Sequence, residues 1–130
     1  EAFFRPDRGA PPAARLALAP IGAADGWSDD PRDPAYNTRV RLPHPFGHER
    51  MTREDGLYDR VVALGYNDDP PVPGRGSAIF LHCAREDFAP TEGCVALARA
   101  DLDRVLARLA PGDVVEIGDA AERLERAAPV

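Results

Sequence analysis

Residues 77–97 read SAIFLHCAREDFAPTEGCVAL and contain the clearest predicted strand of the chain together with both of its cysteines. The run SAIFLHC (77–83) combines apolar, aromatic and β-branched side chains, which predicts a buried strand. Successive side chains of a strand point to opposite faces. We therefore expect one face to carry Ala78, Phe80 and His82, and the other to carry Ile79, Leu81 and Cys83.

The periodicity changes after the Gly93–Cys94 pair. Apolar side chains then recur at helical spacing, which predicts an amphipathic helix over about 99–109 that ends at Pro111 and Gly112. Further strands are predicted over 2–5, 57–66 and 113–117, an edge strand over 39–43, and a long loop over 22–37. The expected fold class is mainly β with one helix that follows Cys94.

Length and charge bound the classes of protein that are possible. The 130 residues are enough for a single domain, with a core over about 1–117 and a short helical tail over 118–130. The net charge of −6 argues against a nucleic-acid partner, which would need a basic surface. The sequence contains no apolar run of membrane-spanning length and no visible signal peptide. Because the chain starts at Glu1 rather than Met, we expect a processed or trimmed protein.

Cys94 and His82 form the candidate catalytic pair. A cysteine directly after glycine, in a loop before a helix, lies where backbone N–H groups and the helix dipole can lower a thiol pKa and bind an oxyanion. A hairpin-like return of the chain after His82 would bring the imidazole within hydrogen-bond reach of the thiol, as general acid–base catalysis requires. The alternative is a structural pair, with Cys94 as a small buried hydrophobic residue.

Two other uses of these residues remain open at this stage. A Cys83–Cys94 disulfide is compatible with the sequence separation, although strand alternation directs Cys83 away from the face of His82. A metal site could draw on His44, His48, His82 and Cys94, but none of the usual ligand spacings is present. We predict neither a metal nor another cofactor.

The stretch resembles the L,D-transpeptidase catalytic domain, also called the YkuD domain. The signature of that family is a histidine on a strand, a variable loop and then Ser/Thr-x-Gly-Cys, which His82, Thr91, Gly93 and Cys94 match. The flanking stretches GWSDDPRDPAYN, HERMTREDGLYDRVVALGYND and PGRGSAIFLH resemble a proteobacterial branch with a short His–Cys loop, over roughly residues 1–117. The Thr-Pro-x-Gly strand that normally precedes the stretch resembling AFFRPDR in that family is not found before it here, so we expect either an excised fragment or a domain without its N-terminal strand.

The resemblance implies a YkuD-like β-sandwich that acts on peptidoglycan stem peptides in the periplasm or cell envelope, and that carbapenems inhibit. Cys94 would attack the carbonyl of the third residue, release D-Ala and transfer the acyl group to an amine, giving a 3→3 cross-link. His82 would serve as general base and then general acid, N–H groups around Gly93 would stabilise the oxyanion, and Thr91 would shape the loop or orient His82.

Substrate contacts are predicted from the loops. The acidic and aromatic loop could line a cleft for the ammonium of a diamino acid through Trp27, Asp29, Asp30, Tyr36 and Asn37, although Asp–Pro and Asp–Gly elements also simply cap turns. HER (48–50) and GYND (65–68) could support the site, which adds Arg50, Tyr66 and Asn67. The family's usual Arg or Asn two places after the cysteine is Ala96 here, so that polar group is either missing or supplied from elsewhere, with Arg75 and Arg50 as the candidates.

Two further functions compete with transpeptidation. A carboxypeptidase or endopeptidase would hydrolyse the same class of bond, with water replacing the acceptor amine. A non-catalytic peptidoglycan-binding module is the alternative from a different class, and Ala96 and the missing N-terminal strand favour it.

Overall fold

Short strands joined by long loops make up most of the structure, a computed structural model that describes residues 1–91 and 93–118. In the described residues there are eight strands and one α-helix, besides a single 3₁₀ turn at Pro6–Arg8. The elements in chain order are β1 (Ala2–Phe4), β2 (Leu18–Pro20), β3 (Asp25–Ser28), β4 (Arg39–Arg41), β5 (His48–Arg50), β6 (Arg60–Ala63), β7 (Phe80–Cys83), β8 (Val95–Leu97) and α1 (Arg99–Leu106). The predicted mainly β class with one helix is therefore confirmed.

The larger of two sheets has five strands in the order β2-β1-β6-β7-β8. Its central pairs β1·β6 and β6·β7 are antiparallel, whereas both outer pairs, β1·β2 and β7·β8, are parallel. In the register of the sheet, His82 lies opposite Val61 on one side and Ala96 on the other. This places the candidate histidine next to the strand that directly follows Cys94.

The smaller sheet is antiparallel, in the order β4-β3-β5. Its central strand has glycine at position 26, where a Cβ would lie 3.0 Å from the backbone oxygen of Glu49 and 2.8 Å from Leu42 Cδ2. The next residue, Trp27, packs edge-on against Phe3 and Phe80 of the larger sheet, with ring centroids 6.3 and 4.9 Å away. Trp27 is thus one of the side chains that join the two sheets.

Two hydrophobic clusters cover the two faces of the larger sheet. Trp27, Phe80 and Val61 belong to the cluster between the sheets, and Leu81 and Cys83 belong to the cluster under α1. The alternation predicted for β7 is therefore confirmed, because His82 shares the face of Phe80 and Cys83 lies on the other. The predicted helix is confirmed over Arg99–Leu106, with Leu102 and Leu106 fully buried against the sheet.

Three sequence predictions about elements were wrong or incomplete. Residues 113–117 do not form a strand, and Val114 and Ile117 are 87% and 69% exposed. An apolar run becomes a strand only when a partner strand and a buried face are available to it. The predicted loop 22–37 contains β3. The three-residue strands β2, β5 and β8 had no prediction, because such short strands carry too little pattern. Except for Gly118, the predicted tail lies outside the described residues.

Candidate active site

A cleft of about 550 Å³ opens beside β7 and contains both members of the candidate pair. It is open to solvent and carries charged groups of both signs. The described residues that line it are Asp29, Glu49, Arg53, Leu57, Tyr58, Ser77, Ala78, His82, Arg85, Pro90, Thr91 and Cys94. The loop between β7 and β8 thus contributes Arg85, Pro90 and Thr91 to its wall.

A bend of the backbone at Gly93 comes directly before Cys94, which lines the cleft. Gly93 has φ = +87°, a left-handed conformation that a residue with a side chain adopts only with strain. The hydroxyl of Thr91 donates a hydrogen bond to the carbonyl oxygen of Cys94. This hydroxyl is therefore directed to Cys94 rather than to His82.

The thiol of Cys94 is half-buried and protonated. Its Sγ donates a hydrogen bond to the carbonyl oxygen of Ala78 at 3.2 Å. Burial raises the pKa of the thiol above its ordinary value, and the backbone N–H of Phe80 offsets this only in part. The prediction that Cys94 lies in a loop just before a helix, where the helix dipole could lower its pKa, was wrong, because β8 separates it from α1, which begins at Arg99, and its pKa is raised.

His82 is buried in β7, and its hydrogen bond defines which ring nitrogen carries the proton. Nδ1 lies 2.8 Å from the carbonyl oxygen of Cys83, and because a carbonyl oxygen can only accept, Nδ1–H is the donor. Nε2 then keeps a lone pair. Burial lowers the pKa of His82, so the neutral imidazole is favoured. Its ring packs edge-on against Tyr58, with centroids 5.6 Å apart.

The chain brings Cys94 and His82 to one cleft by a route that differs from the predicted one. A hairpin-like return was expected, but β7 and β8 run parallel. The chain returns between Cys83, where β7 ends, and Val95, where β8 begins, so Cys94 lines the cleft from the start of β8 rather than from across a hairpin. The hydrogen bond of the resting thiol is made to Ala78 and not to the imidazole.

Neither alternative use of the cysteines is supported. Both thiols are free, and Cys83 is buried in the cluster under α1, on the opposite face of the sheet from the cleft. Within residues 1–91 and 93–118, no three His, Cys, Asp or Glu side chains come together as a metal-binding group. The predicted packing role of Cys83 is confirmed by this burial.

Of the substrate contacts predicted in the acidic and aromatic loop, one residue lines the cleft and the others are buried beside it. Asp29 is exposed and lines the cleft. Asp30 is buried and accepts hydrogen bonds from Arg32 and from the backbone N–H of Gly47, which lower its pKa. The ring of Trp27 is in the core, so it joins the two sheets rather than the cleft wall. Tyr36 is also buried, and its hydroxyl accepts from Gly76 N–H.

Asn37 is the centre of a hydrogen-bond network that reaches the site. Its Oδ1 accepts from Trp27 Nε1–H and from the backbone N–H of Ala78, each at 3.1 Å. Its Nδ2 donates to the carbonyl oxygens of Tyr66 and Asn67. Because Ala78 holds the thiol of Cys94, this network connects the 66–67 loop and β3 to the nucleophile candidate.

Four more predicted residues lie outside the cleft wall. Tyr66 is 55% exposed and packs on Gly76, and Asn67 holds the 67–76 loop through Val72 and Gly76. Arg50 and Arg75 are exposed, and the described residues that line the cleft do not include them. Neither is therefore placed to supply the polar group missing at Ala96.

The guanidinium groups of the cleft belong instead to Arg53 and Arg85, which the sequence patterns did not single out. Arg53 makes a bidentate pair with Asp55 and lies over the ring of Tyr58, 5.1 Å from its centroid. Tyr58 in turn donates its hydroxyl to Glu49. Arg85 follows His82 by three residues, and that proximity along the chain was the only available signal.

Fold and cleft together define a class: a mainly β domain in which a strand-borne histidine and a cysteine after a glycine turn share one cleft. The family model described as YkuD, the L,D-transpeptidase catalytic domain, matches residues 1–117. The chain therefore belongs to this family, whose members are cysteine-dependent and act on peptidoglycan. Searches of curated proteins and of solved structures gave no significant match. In the described part of the chain, every helix is too short or too polar to cross a bilayer.

Proposed function

We propose that the protein is a cysteine L,D-transpeptidase of the cell envelope that uses Cys94 as its nucleophile and His82 as its acid–base group. The observation that carries the proposal is the presence in one cleft of a half-buried thiol and a neutral imidazole whose Nε2 is an acceptor. A neutral thiol needs such a base at the moment of attack.

In the acylation half-reaction, Sγ of Cys94 attacks the carbonyl carbon of the third stem residue while Nε2 of His82 takes the thiol proton. Backbone N–H groups at Gly93 and Cys94 stabilise the tetrahedral oxyanion. As the C–N bond breaks, the imidazolium returns its proton to the amine of the departing D-Ala. The product is a thioester on Cys94.

In the second half-reaction, the amine of a neighbouring stem attacks the thioester carbonyl. His82 accepts a proton from that amine and returns it to the departing thiolate, so the enzyme is regenerated. The new amide is the 3→3 cross-link. Water in place of the amine would give hydrolysis instead, and the two reactions share the acyl-enzyme.

The test is acylation by a carbapenem, followed by intact-mass measurement on the folded, reduced protein. Opening of the lactam ring forms an S–C bond, breaks the C–N bond and leaves the proton on nitrogen. We expect one adduct, lost in Cys94→Ala and kept in Cys83→Ala, which serves as the matched cysteine control. An unmodified protein, or an adduct that persists in Cys94→Ala, would refute the assignment.

Muropeptide analysis separates the two outcomes of the shared intermediate. We expect cross-linked dimers when the protein is incubated with disaccharide-tetrapeptides. Trimmed monomers alone would identify a hydrolase, and unchanged muropeptides together with measurable binding would identify the non-catalytic module.

A further inference from the structure

The two arginines of the cleft differ in how fully their charge is already matched. Arg53 donates from Nε and Nη2 to Asp55 at distances from 2.6 to 3.2 Å, and its carbonyl oxygen accepts from Arg5 Nη1 at 2.8 Å. The contact with the face of Tyr58 adds a further constraint. Arg53 is therefore a fixed part of the cleft wall whose charge is paired.

Arg85 has a much weaker partner. Its side chain is 50% exposed, and its contact with Asp55 is an ion pair at 4.0 Å, to a carboxylate that Arg53 already binds at shorter distance. At that separation, an exposed pair contributes little. The guanidinium of Arg85 therefore faces the cleft with N–H donors to spare.

The position of Arg85 is close to the reacting groups. It lies in the loop three residues after His82, and both side chains line the same cleft. Burial does most to lower the pKa of His82, and the positive charges of Arg53 and Arg85 add to that effect. A group bound by Arg85 would therefore lie near the atoms of the candidate pair.

The leaving group of the proposed reaction carries a complementary charge. The D-Ala that departs from the attacked carbonyl has a free carboxylate, only one residue beyond the bond that breaks. A guanidinium binds a carboxylate through two parallel N–H···O hydrogen bonds, a geometry that neither lysine nor a backbone amide reproduces.

We propose that Arg85 binds the terminal carboxylate of the donor peptide and so selects donors that end one residue after the attacked carbonyl. This rests on the proposed function for the identity of the donor. Arg85 is a specificity-determining residue in this scheme, and Asp55 holds its side chain near the cleft until the substrate carboxylate replaces that weak pairing.

The test uses the unreactive Cys94→Ala protein and two stem tetrapeptides that differ only in a C-terminal carboxylate or carboxamide. Equilibrium binding is measured by calorimetry. We expect the acid to bind about ten- to a hundredfold more tightly than the amide, as is typical of a charge-assisted hydrogen-bonded pair. Adding Arg85→Gln should remove this preference by weakening the acid alone, and Arg85→Lys should restore part of it.

An arginine control accompanies this series. Arg108→Gln changes an exposed residue after α1 that is not among the described residues lining the cleft. It should keep the preference for the acid. Three results would overturn the inference. Arg85→Gln could weaken the binding of acid and amide equally, it could leave the preference for the acid intact, or the folded protein could bind neither peptide. The Cys94→Ala protein could show the expected preference for the acid while the protein with Cys94 intact neither cross-links nor hydrolyses the peptides. That result would refute only the proposed function.

Discussion

At the scale of single residues, the site combines two groups that burial keeps neutral. Burial raises the pKa of the Cys94 thiol and lowers that of the His82 imidazole, so each shift disfavours the charged form. The hydrogen bonds agree with this, because the thiol donates to Ala78 and the imidazole donates to Cys83. The resting pair is therefore a thiol beside a neutral base, and not a thiolate–imidazolium pair.

This has a direct consequence for the reactivity of the thiol with pH. In Cys83→Ala, which leaves a single cysteine, the rate of alkylation by iodoacetamide should rise with pH to a midpoint above that of an ordinary cysteine, because only the thiolate reacts and burial raises its pKa. His82→Gln should leave that midpoint nearly unchanged. A reactive plateau near neutral pH that disappears in His82→Gln would instead show a preformed ion pair.

At the scale of elements, loops hold the site in place as much as strands do. Asn37 has φ = +59°, a conformation that asparagine tolerates better than most residues, and its amide joins β3 to Ala78 and to the 66–67 loop. Ala78 also has a positive φ, at +58°. The residue whose carbonyl oxygen accepts the thiol hydrogen bond is thus held through its own N–H by a side chain 41 residues away in sequence.

Asn37→Ala should destabilise the protein strongly. It removes the acceptor for two buried N–H groups, those of Trp27 and Ala78, and we expect a loss of about 2–4 kcal/mol in the free energy of unfolding, measured in urea. Asn37→Gly relieves the backbone strain but loses the same hydrogen bonds, so it should also be destabilised. Thr38→Ala, at the exposed neighbouring position, should cost less than about 1 kcal/mol. Equal effects at positions 37 and 38 would contradict the assigned role of the amide.

At the scale of the whole molecule, the larger sheet has the candidate active site on one face and the helix α1 on the other. Its cleft face carries Phe80 and His82 and packs against the smaller sheet, whereas its other face carries Leu81 and Cys83 and packs against α1. The helix therefore stabilises the sheet from the side away from the cleft.

Leu102→Ala tests this division. The side chain is fully buried under the sheet, so we expect a loss of about 2–5 kcal/mol in the free energy of unfolding. The alkylation rate of Cys94 in the folded protein should not change, because Leu102 contacts the opposite face. Arg104→Ala, exposed on the same helix, should alter stability by no more than about 0.5 kcal/mol. A large change in the alkylation rate of folded Leu102→Ala would show that the two faces are coupled.

The sequence by itself determined those features that depend on local periodicity and on a short motif. Alternation in SAIFLHC was sufficient to separate His82 from Cys83, helical spacing was sufficient to locate α1, and the order of His82, Thr91, Gly93 and Cys94 indicated the family. Each of these patterns is complete within about twenty residues, so no distant contact is needed to recognise it.

Only the tertiary structure decided which distant residues meet at the site. The parallel pairing of β8, the position of Arg53 and Arg85 in the cleft, and the link from Asn37 to Ala78 depend on loops with little periodic pattern. The strand predicted over 113–117 did not form for the same reason, because its strand-forming residues have no partner strand among the described residues. Long-range pairing is a property of the folded chain as a whole, because a strand or a polar contact is stable only when its partner is present.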